Sequence, residues 1–160
     1  MQIGVVSDTH GRMPSAMEAV RMLESLEVEL VIHCGDIGSA ELVGLFSLWP
    51  THFVFGNVDH DEAELRRAIL AAGQTCHGRF GRLELAGRKV GFLHGDDAAL
   101  LRQTIDDGKW DLVCHGHTHV ARRQQHGKTL VLNPGALFRA TPHSIAVVEL
   151  PAVQATIIPL

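Results

Sequence analysis

The chain has 160 residues with a formal net charge of −4, and it contains 11 histidines, 3 cysteines and no tyrosine. A composition of 46% hydrophobic and 20% charged residues excludes a mostly disordered chain and fits a single domain over residues 1–160. The acidic balance argues against stable binding to nucleic acids or membranes, and the odd number of cysteines argues against a disulfide scaffold.

The first half of the chain repeats a strand followed by a helix three times. Short apolar runs predict strands over residues 3–7, 30–32 and 52–55, and the spacing of apolar residues predicts helices over 15–26, 40–48 and 61–72. Ser39 is expected to cap the second helix, and Gly73 ends the third. This alternation is typical of a parallel sheet with crossover helices.

The second half is dominated by hairpins. Alternating residues around Gly87 predict a hairpin over 82–93, and Gly127 separates predicted strands over 120–125 and 129–132. A helix over 97–105 and strands over 112–114, 144–149 and 153–158 complete the chain. The two halves together predict an α/β fold of four layers, an αββα sandwich in which two packed mixed β-sheets are flanked by helices.

Neither a signal peptide nor a membrane helix is expected. The amino terminus lacks a basic segment followed by a long apolar segment. The longest uncharged stretch, residues 42–58, contains Pro50 and several polar residues. We therefore expect a cytoplasmic protein with reduced cysteines.

Polar clusters follow five of the predicted strands, and all of them carry aspartate, asparagine or histidine. Ligand sites in open α/β sheets form beyond the carboxyl ends of the strands, so we expect the five clusters to meet in one crevice. These side chains offer oxygen and nitrogen ligands to a transition metal, and no cysteine is among them. The excess of histidine is therefore interpreted as part of a metal site.

The clusters together resemble the motifs of the calcineurin-like metallophosphoesterases, and especially those of their small single-domain phosphodiesterase branch. The motifs stand in the family's order as Asp8-Thr9-His10, Gly35-Asp36, Gly56-Asn57-Val58-Asp59, His94-Gly95 and Gly116-His117-Thr118-His119. A later turn, Asn133-Pro134-Gly135, also resembles this branch, although Ala136 stands where a serine commonly follows.

The resemblance implies a metal-dependent phosphodiesterase with a binuclear metal centre. The first ion would be held by Asp8, His10 and His119, the second by Asn57, His94 and His117, and both by the bridging Asp36. Asp36, Asn57 and His94 would also be catalytic residues, and a hydroxide that bridges the two ions would be the nucleophile. With both ions bound, the local charge would be about +1, which attracts an anionic phosphoryl group.

Two divalent metal ions are thus the expected cofactors. Manganese is preferred, and zinc, iron, nickel and cobalt are alternatives because the same ligands accept them. The expected partner is a small phosphodiester substrate. The resemblance also implies a homo-oligomer, either a dimer or a tetramer, since members of the branch often form one.

Val58 departs from the pattern of many family members, which carry a histidine at this position to assist the leaving group. Valine cannot transfer a proton, so solvent or another residue such as His60 would have to do so. Asp59 is expected to orient Asn57 or to stabilise its loop. Two alternatives stay open: a phosphomonoesterase, including a protein phosphatase, and a non-catalytic protein-binding scaffold with the same fold.

The remaining histidines carry no motif of their own. His33 and His115 precede motif residues and are interpreted as packed or supporting side chains. Surface or packing roles are expected for His52, His77, His126 and His143. The pair Arg122-Arg123 lies near the last motif, where it would either touch the substrate or form a solvated strand face.

Overall fold

The computed structural model describes all 160 residues. The strands are β1 (Gln2–Val6), β2 (Leu30–His33), β3 (Thr51–Phe53), β4 (Thr75–Cys76), β5 (Phe80–Leu85), β6 (Arg88–Leu93), β7 (Leu112–Cys114), β8 (Arg122–His126), β9 (Thr129–Asn133), β10 (Ser144–Glu149) and β11 (Gln154–Pro159). The α-helices are α1 (Met13–Ser25), α2 (Ala40–Val43), α3 (Glu62–Ala71) and α4 (Ala98–Asp106). None of these helices has both the length and the apolar character needed to cross a bilayer.

The strands form two mixed sheets. The first has the order β11-β10-β1-β2-β3-β4, in which β1 to β4 run parallel and β10 and β11 join antiparallel. The second has the order β5-β6-β7-β9-β8, with β6, β7 and β9 parallel and an antiparallel strand at each edge. The prediction of two packed mixed sheets flanked by helices is confirmed.

Alternation along the central strands builds two hydrophobic layers. Ile3 and Val5 of β1 and Ile32 of β2 point into the core between the two sheets. Val6 and Val31 point to the other face, where α1, α2 and α3 cover the first sheet. Since both faces of β1 and β2 are buried, these strands are apolar almost throughout. The arrangement fixes the strand ends rigidly, and the polar clusters extend from those ends.

Some local predictions were wrong. The second helix ends at Val43 instead of residue 48, and a short 3₁₀ helix (Gly44–Phe46) follows it, because glycine is a poor helix former. Ser39 occupies the N-cap position of α2, but its side chain makes no capping hydrogen bond. Strand β4 was not predicted, since its two residues are too few for a periodic pattern.

A pair of histidines joins β3 to the segment that follows β4. His52 Nδ1 lies 2.9 Å from His77 Nε2, so one ring donates a hydrogen bond and the other accepts it. Burial together with the neighbouring His77 lowers the pKa of His52 to about 4, and burial also lowers the pKa of His77. The fold therefore favours the neutral form of both rings.

This pair is expected to make the protein sensitive to acid. Below about pH 6.5 the unfolded chain binds a proton that folded His52 does not take up until the pH approaches 4, so the free energy of unfolding falls as the pH decreases. Replacing His52 with glutamine should reduce the loss of stability between about pH 7 and about pH 5. Urea unfolding with a chelator in every sample measures this, with His126→Gln as the control. An unchanged pH dependence in His52→Gln would contradict the assignment.

Candidate metal centre

The polar clusters meet where the carboxyl ends of the parallel strands of the two sheets face each other. From the first sheet, Asp8, Asp36 and Asn57 follow β1, β2 and β3. From the second sheet, His94 follows β6, and the loop after β7 carries His117 and His119. Hydrogen bonds connect the sheets here: His94 Nδ1 lies 2.8 Å from the carbonyl oxygen of Cys34, and the backbone N–H of His117 donates to Asp8 Oδ2 at 3.1 Å. The predicted crevice therefore lies between the two sheets.

Two buried carboxylates form the middle of the cluster. The side chain of Asp8 is fully buried and that of Asp36 is 4% exposed. The ligating atoms of Asp8, Asp36 and His94 all lie within 4.8 Å of one another, and so do those of Asp8, His10 and His119. Each of these groups is compact enough to hold a metal ion.

Histidines approach Asp36 from two sides. Asp36 Oδ2 lies 3.3 Å from His10 Nε2 and 3.2 Å from His94 Nε2. On the side of His10, His119 Nε2 lies 3.1 Å from Asp8 Oδ1.

On the side of His94, the ring of His117 stands with its centroid 5.2 Å from the His94 ring. Its Nδ1 atom lies 3.2 Å from Asn57 Oδ1. Two ligands bound about 2.1 Å from one ion stand roughly 3–3.5 Å apart, so these separations suit shared coordination. The structure thus brings together all the predicted ligands, which are Asp8, His10, Asp36, Asn57, His94, His117 and His119.

The cluster contains buried polar atoms that no protein group satisfies. Asp8 Oδ1, His10 Nε2 and His94 Nε2 are buried and have no hydrogen-bond partner. An unsatisfied buried polar atom costs about 1–3 kcal/mol, so three of them at one point call for a ligand. His94 Nδ1 faces the carbonyl of Cys34, which fixes the proton on Nδ1 and leaves the lone pair of Nε2 free. These residues therefore fit divalent metal ions.

The backbone at the cluster is strained. Five predicted ligands have a positive φ: 55° at Asp8, 46° at His10, 54° at Asp36, 69° at His117 and 60° at His119. Residues with a side chain rarely adopt this left-handed conformation, and holding one there costs of the order of 1–3 kcal/mol. Strain concentrated on predicted ligands indicates that the surrounding structure holds these side chains in place for function.

The electrostatics couple the carboxylates and the histidines. Asp36 and then Asp8 raise the pKa of His10 to about 9. Burial lowers the pKa of His94, but Asp36 and Asp8 outweigh burial and raise it overall. Burial would raise the pKa of both carboxyl groups, yet His10 and the other nearby histidines hold them below the usual range. Without metal, protons on the histidines balance the two carboxylates.

Asp59 connects two of the ligand-bearing loops. Its buried carboxylate accepts backbone hydrogen bonds from Ile37 at 3.2 Å, from Gly38 at 3.0 Å and from Gly56 at 2.8 Å. The first two donors follow Asp36, and the third precedes Asn57. Of the two predicted roles, the structure supports the stabilisation of the loop. Burial raises the pKa of Asp59, although the three N–H donors oppose this rise.

Two motif glycines permit the close approach of these loops. A Cβ atom on Gly56 would overlap the carboxylate of Asp36, and one on Gly116 would overlap Ser7 and Asp8. Any larger residue at either position would push a predicted ligand out of the cluster.

Several supporting residues were missing from the predicted site. Ser7 Oγ donates to Asp8 Oδ2 at 2.6 Å, and Asn133 Nδ2 donates to the carbonyl of Gly116 at 2.9 Å. Ser7 directly precedes the first motif, and Asn133 lies in the turn that carried the resemblance, so both had a sequence signal. Phe138, whose ring centroid is 4.7 Å from that of His10, had none.

The other histidines and the arginine pair take varied positions. His33 is fully buried and contacts Thr9 Oγ1 at 3.0 Å, as expected of a supporting side chain. His115 and Arg122 line a surface groove between α4 and the second sheet, together with Leu101 and Val131. The side chain of Arg123 hydrogen-bonds to the backbone carbonyl of Ala155.

Comparison with known proteins gives one consistent result. Residues 1–152 match the calcineurin-like phosphoesterase superfamily domain. Phosphodiesterase MJ0936 of Methanocaldococcus jannaschii is 30% identical over 138 residues, which cover 84% of this chain and 83% of that protein. A solved archaeal phosphodiesterase superposes with a TM-score of 0.92 at 27% identity over 100% of both chains. Zinc-bound Vps29 of Entamoeba histolytica shares the fold alone, with a TM-score of 0.71 at 21% identity over 99% of this chain and 91% of that one.

Metal loading is expected to release protons. His10 is protonated at neutral pH in the metal-free protein because its pKa is about 9, and a metal ion requires the neutral ring. Metal affinity should therefore rise as the pH increases towards 9. Calorimetric titration with Mn²⁺ in buffers of different ionisation enthalpy measures the proton count. His10→Gln should release about one proton fewer, whereas His126→Gln should match the wild type. Binding of Mn²⁺ without any release of protons would contradict this prediction.

Replacing Asp59 with asparagine should loosen the centre. The amide offers one acceptor oxygen in place of two, and its NH₂ group faces backbone donors, so about 1–3 kcal/mol of the free energy of unfolding should be lost. Urea unfolding and Mn²⁺ affinity are the measurements, with the exposed Glu84→Gln as the control. Wild-type stability together with wild-type affinity in Asp59→Asn would refute the bracing role.

Proposed function

This chain belongs to the calcineurin-like phosphoesterase superfamily and is a metallophosphoesterase, and we propose that it hydrolyses phosphodiesters at a centre of two divalent metal ions. The observation that carries the proposal is the convergence of three unsatisfied buried atoms, Asp8 Oδ1, His10 Nε2 and His94 Nε2, between the two sheets. Phosphodiesterase MJ0936, with its 30% identity, supports the choice of a diester substrate.

The predicted ligands divide into two sets around Asp36. His10, His119 and Asp8 form one side, where His119 Nε2 lies 3.1 Å from Asp8 Oδ1. Asn57 and His117 form the other side together with His94. Asp36 Oδ2 stands between the sides, 3.3 Å from His10 Nε2 and 3.2 Å from His94 Nε2. We assign the first ion to one side, the second ion to the other, and Asp36 to both.

When bound, the ions would supply Lewis acidity to phosphoryl oxygens and lower the pKa of a water molecule. The protein residues hold this chemistry in a fixed geometry. Ser7 Oγ and the N–H of His117 both donate to Asp8 Oδ2, which directs Oδ1 into the centre. The N–H of Val58 donates to Asp36 Oδ1, which leaves Oδ2 facing the histidines. Each carboxylate therefore commits one oxygen to the scaffold and one to the site.

The position of Val58 limits the leaving groups that the site can release. Its side chain has no proton to give, and the side chain of His60 is exposed and makes no hydrogen bond or ion pair with the cluster. The leaving group must then take its proton from solvent or depart as a stable anion. An ester of an acidic alcohol suits such a site because its departing oxygen needs little protonation.

Metal removal and restoration test the proposal. Exhaustive chelation should abolish the hydrolysis of bis(p-nitrophenyl) phosphate, and Mn²⁺ should restore it. Asp36→Asn and His119→Ala should lower kcat by about two orders of magnitude or more, because each removes a ligand to an ion. His126→Gln, a histidine far from the cluster, is the matched control. Release of p-nitrophenolate measures the rate.

A matched monoester separates this function from the alternatives. The enzyme should hydrolyse bis(p-nitrophenyl) phosphate with a higher kcat/KM than p-nitrophenyl phosphate, in line with its 30% identity to phosphodiesterase MJ0936. The two esters share a leaving group, so the comparison isolates the preference for a diester or a monoester. The reverse preference would favour a phosphomonoesterase. Hydrolysis of neither ester by protein with bound metal would favour a binding scaffold, and full activity after chelation would exclude metal chemistry altogether.

A further inference from the structure

An aromatic ring with two arginines borders the proposed centre on the side of His10. The ring centroid of Phe138 lies 4.7 Å from that of His10 and 6.4 Å from that of His119. The guanidinium carbons of Arg12 and Arg139 lie 4.8 Å and 5.0 Å from the Phe138 centroid. We call these three residues the arginine rim: Arg12, Phe138 and Arg139.

Apart from their contact with Phe138, both guanidinium groups of the arginine rim lack an ion-pair or hydrogen-bond partner. Neither has a carboxylate oxygen within 4.0 Å, and neither donates a hydrogen bond to another protein group. By contrast, Arg79 and Arg88 pair with acidic residues. Two unpaired positive charges held beside one ring repel each other, so an anion between or beside them would relieve the repulsion.

The fold holds the arginine rim in position. Arg12 is the N-cap residue of α1, which has no acidic residue in its first turn. Ser15 Oγ donates to the carbonyl oxygen of Leu137 at 2.7 Å, which ties the segment of Phe138 to the start of α1. Arg139 has a φ of 49°, a strained conformation that persists only where neighbouring contacts impose it. These contacts fix the backbone from which the two exposed arginine side chains extend.

A surface cavity of about 410 Å³ lies beside Arg12 and Phe138, and neither Arg139 nor any predicted metal ligand lines it. Arg12, Phe138 and His143 line it, and Glu18 is its only acidic residue. A substrate whose reacting phosphate lies at the centre would reach the two arginines by passing Phe138, whose ring lies next to His10. The Phe138 ring already contacts His10 and both arginines. The groups that remain available to bind a substrate are therefore the positively charged guanidinium groups.

We infer that the arginine rim binds a second phosphate of the substrate, so that the preferred substrates are phosphodiesters that carry another phosphate one sugar unit away. This inference rests on the proposed function. Guanidinium groups present several N–H donors to phosphate oxygens and hold their charge at every physiological pH. Arg12 and Arg139 are thus specificity-determining residues that contact the substrate away from the reacting atoms.

Two substrates with the same leaving group test this. The p-nitrophenyl ester of thymidine 5′-phosphate is compared with the same ester carrying a 3′-phosphate, using the Mn²⁺-loaded protein. The 3′-phosphate should lower KM about five- to tenfold at low ionic strength with little change in kcat, because it adds binding that is equal in ground and transition states. The preference should shrink at high ionic strength.

Variants assign the preference to the arginine rim. Arg12→Gln/Arg139→Gln should bring the KM ratio of the two esters close to one, and the single variants should give intermediate ratios. Arg21→Gln, an arginine further along α1, should keep the wild-type ratio. Equilibrium binding supplies a readout besides activity: thymidine 3′,5′-bisphosphate should bind the Mn²⁺-loaded wild type more tightly than thymidine 5′-phosphate, and this difference should vanish in the double variant.

The outcomes separate the inference from the proposed function. Hydrolysis of both esters with equal KM by the wild type would overturn the inference and leave the phosphodiesterase assignment intact. A preference that persists in the double variant would also overturn it. If neither ester is hydrolysed, the proposed function fails, and the binding measurement still decides whether the arginine rim selects a second phosphate. If the double variant does not fold, the single variants provide the same comparison.

Discussion

The burial of two carboxylates within a few ångströms of each other is the constraint that organises this protein. Asp8 and Asp36 are removed from water, where each charge would otherwise be hydrated, and their charges repel each other. The structure meets this cost with histidines on both sides, with N–H donors from neighbouring loops, and with a place for metal ions. The sheets, the loops and the strained ligand backbone all serve to keep these two groups together.

The two sheets depend on each other at this point. The first sheet supplies both carboxylates and the second supplies His94, His117 and His119, so neither half of the chain carries a complete site. Contacts such as that between His94 Nδ1 and the carbonyl of Cys34 join the sheets within the core of the site. The interface that buries the hydrophobic layer therefore also determines the spacing of the ligands.

The sequence allowed the central strands and the polar clusters that follow them to be predicted, because both depend on local patterns. Apolar runs such as residues 3–6 identify buried strands, and a polar residue directly after such a run identifies a strand end. The resemblance to a known family then ordered the clusters. What could not be predicted depends on contacts between distant segments. Phe138 carries no motif, and its position beside His10 follows from the path of the chain after β9. The extent of α2 was predicted wrongly for a different, local reason, since Gly44 ends the α-helix at Val43 and a 3₁₀ helix continues from it.

The left-handed backbone at five of the proposed ligand positions has a consequence for the stability of such a site. Glycine adopts this conformation without a steric penalty, so the backbone conformation alone would favour glycine at Asp8 or His117 over the residues present. Backbone conformation and the proposed metal chemistry therefore favour different residues at these positions. The chain places metal-ligating side chains where glycine would relax the backbone, so part of its conformational stability is given up for the placement of those groups.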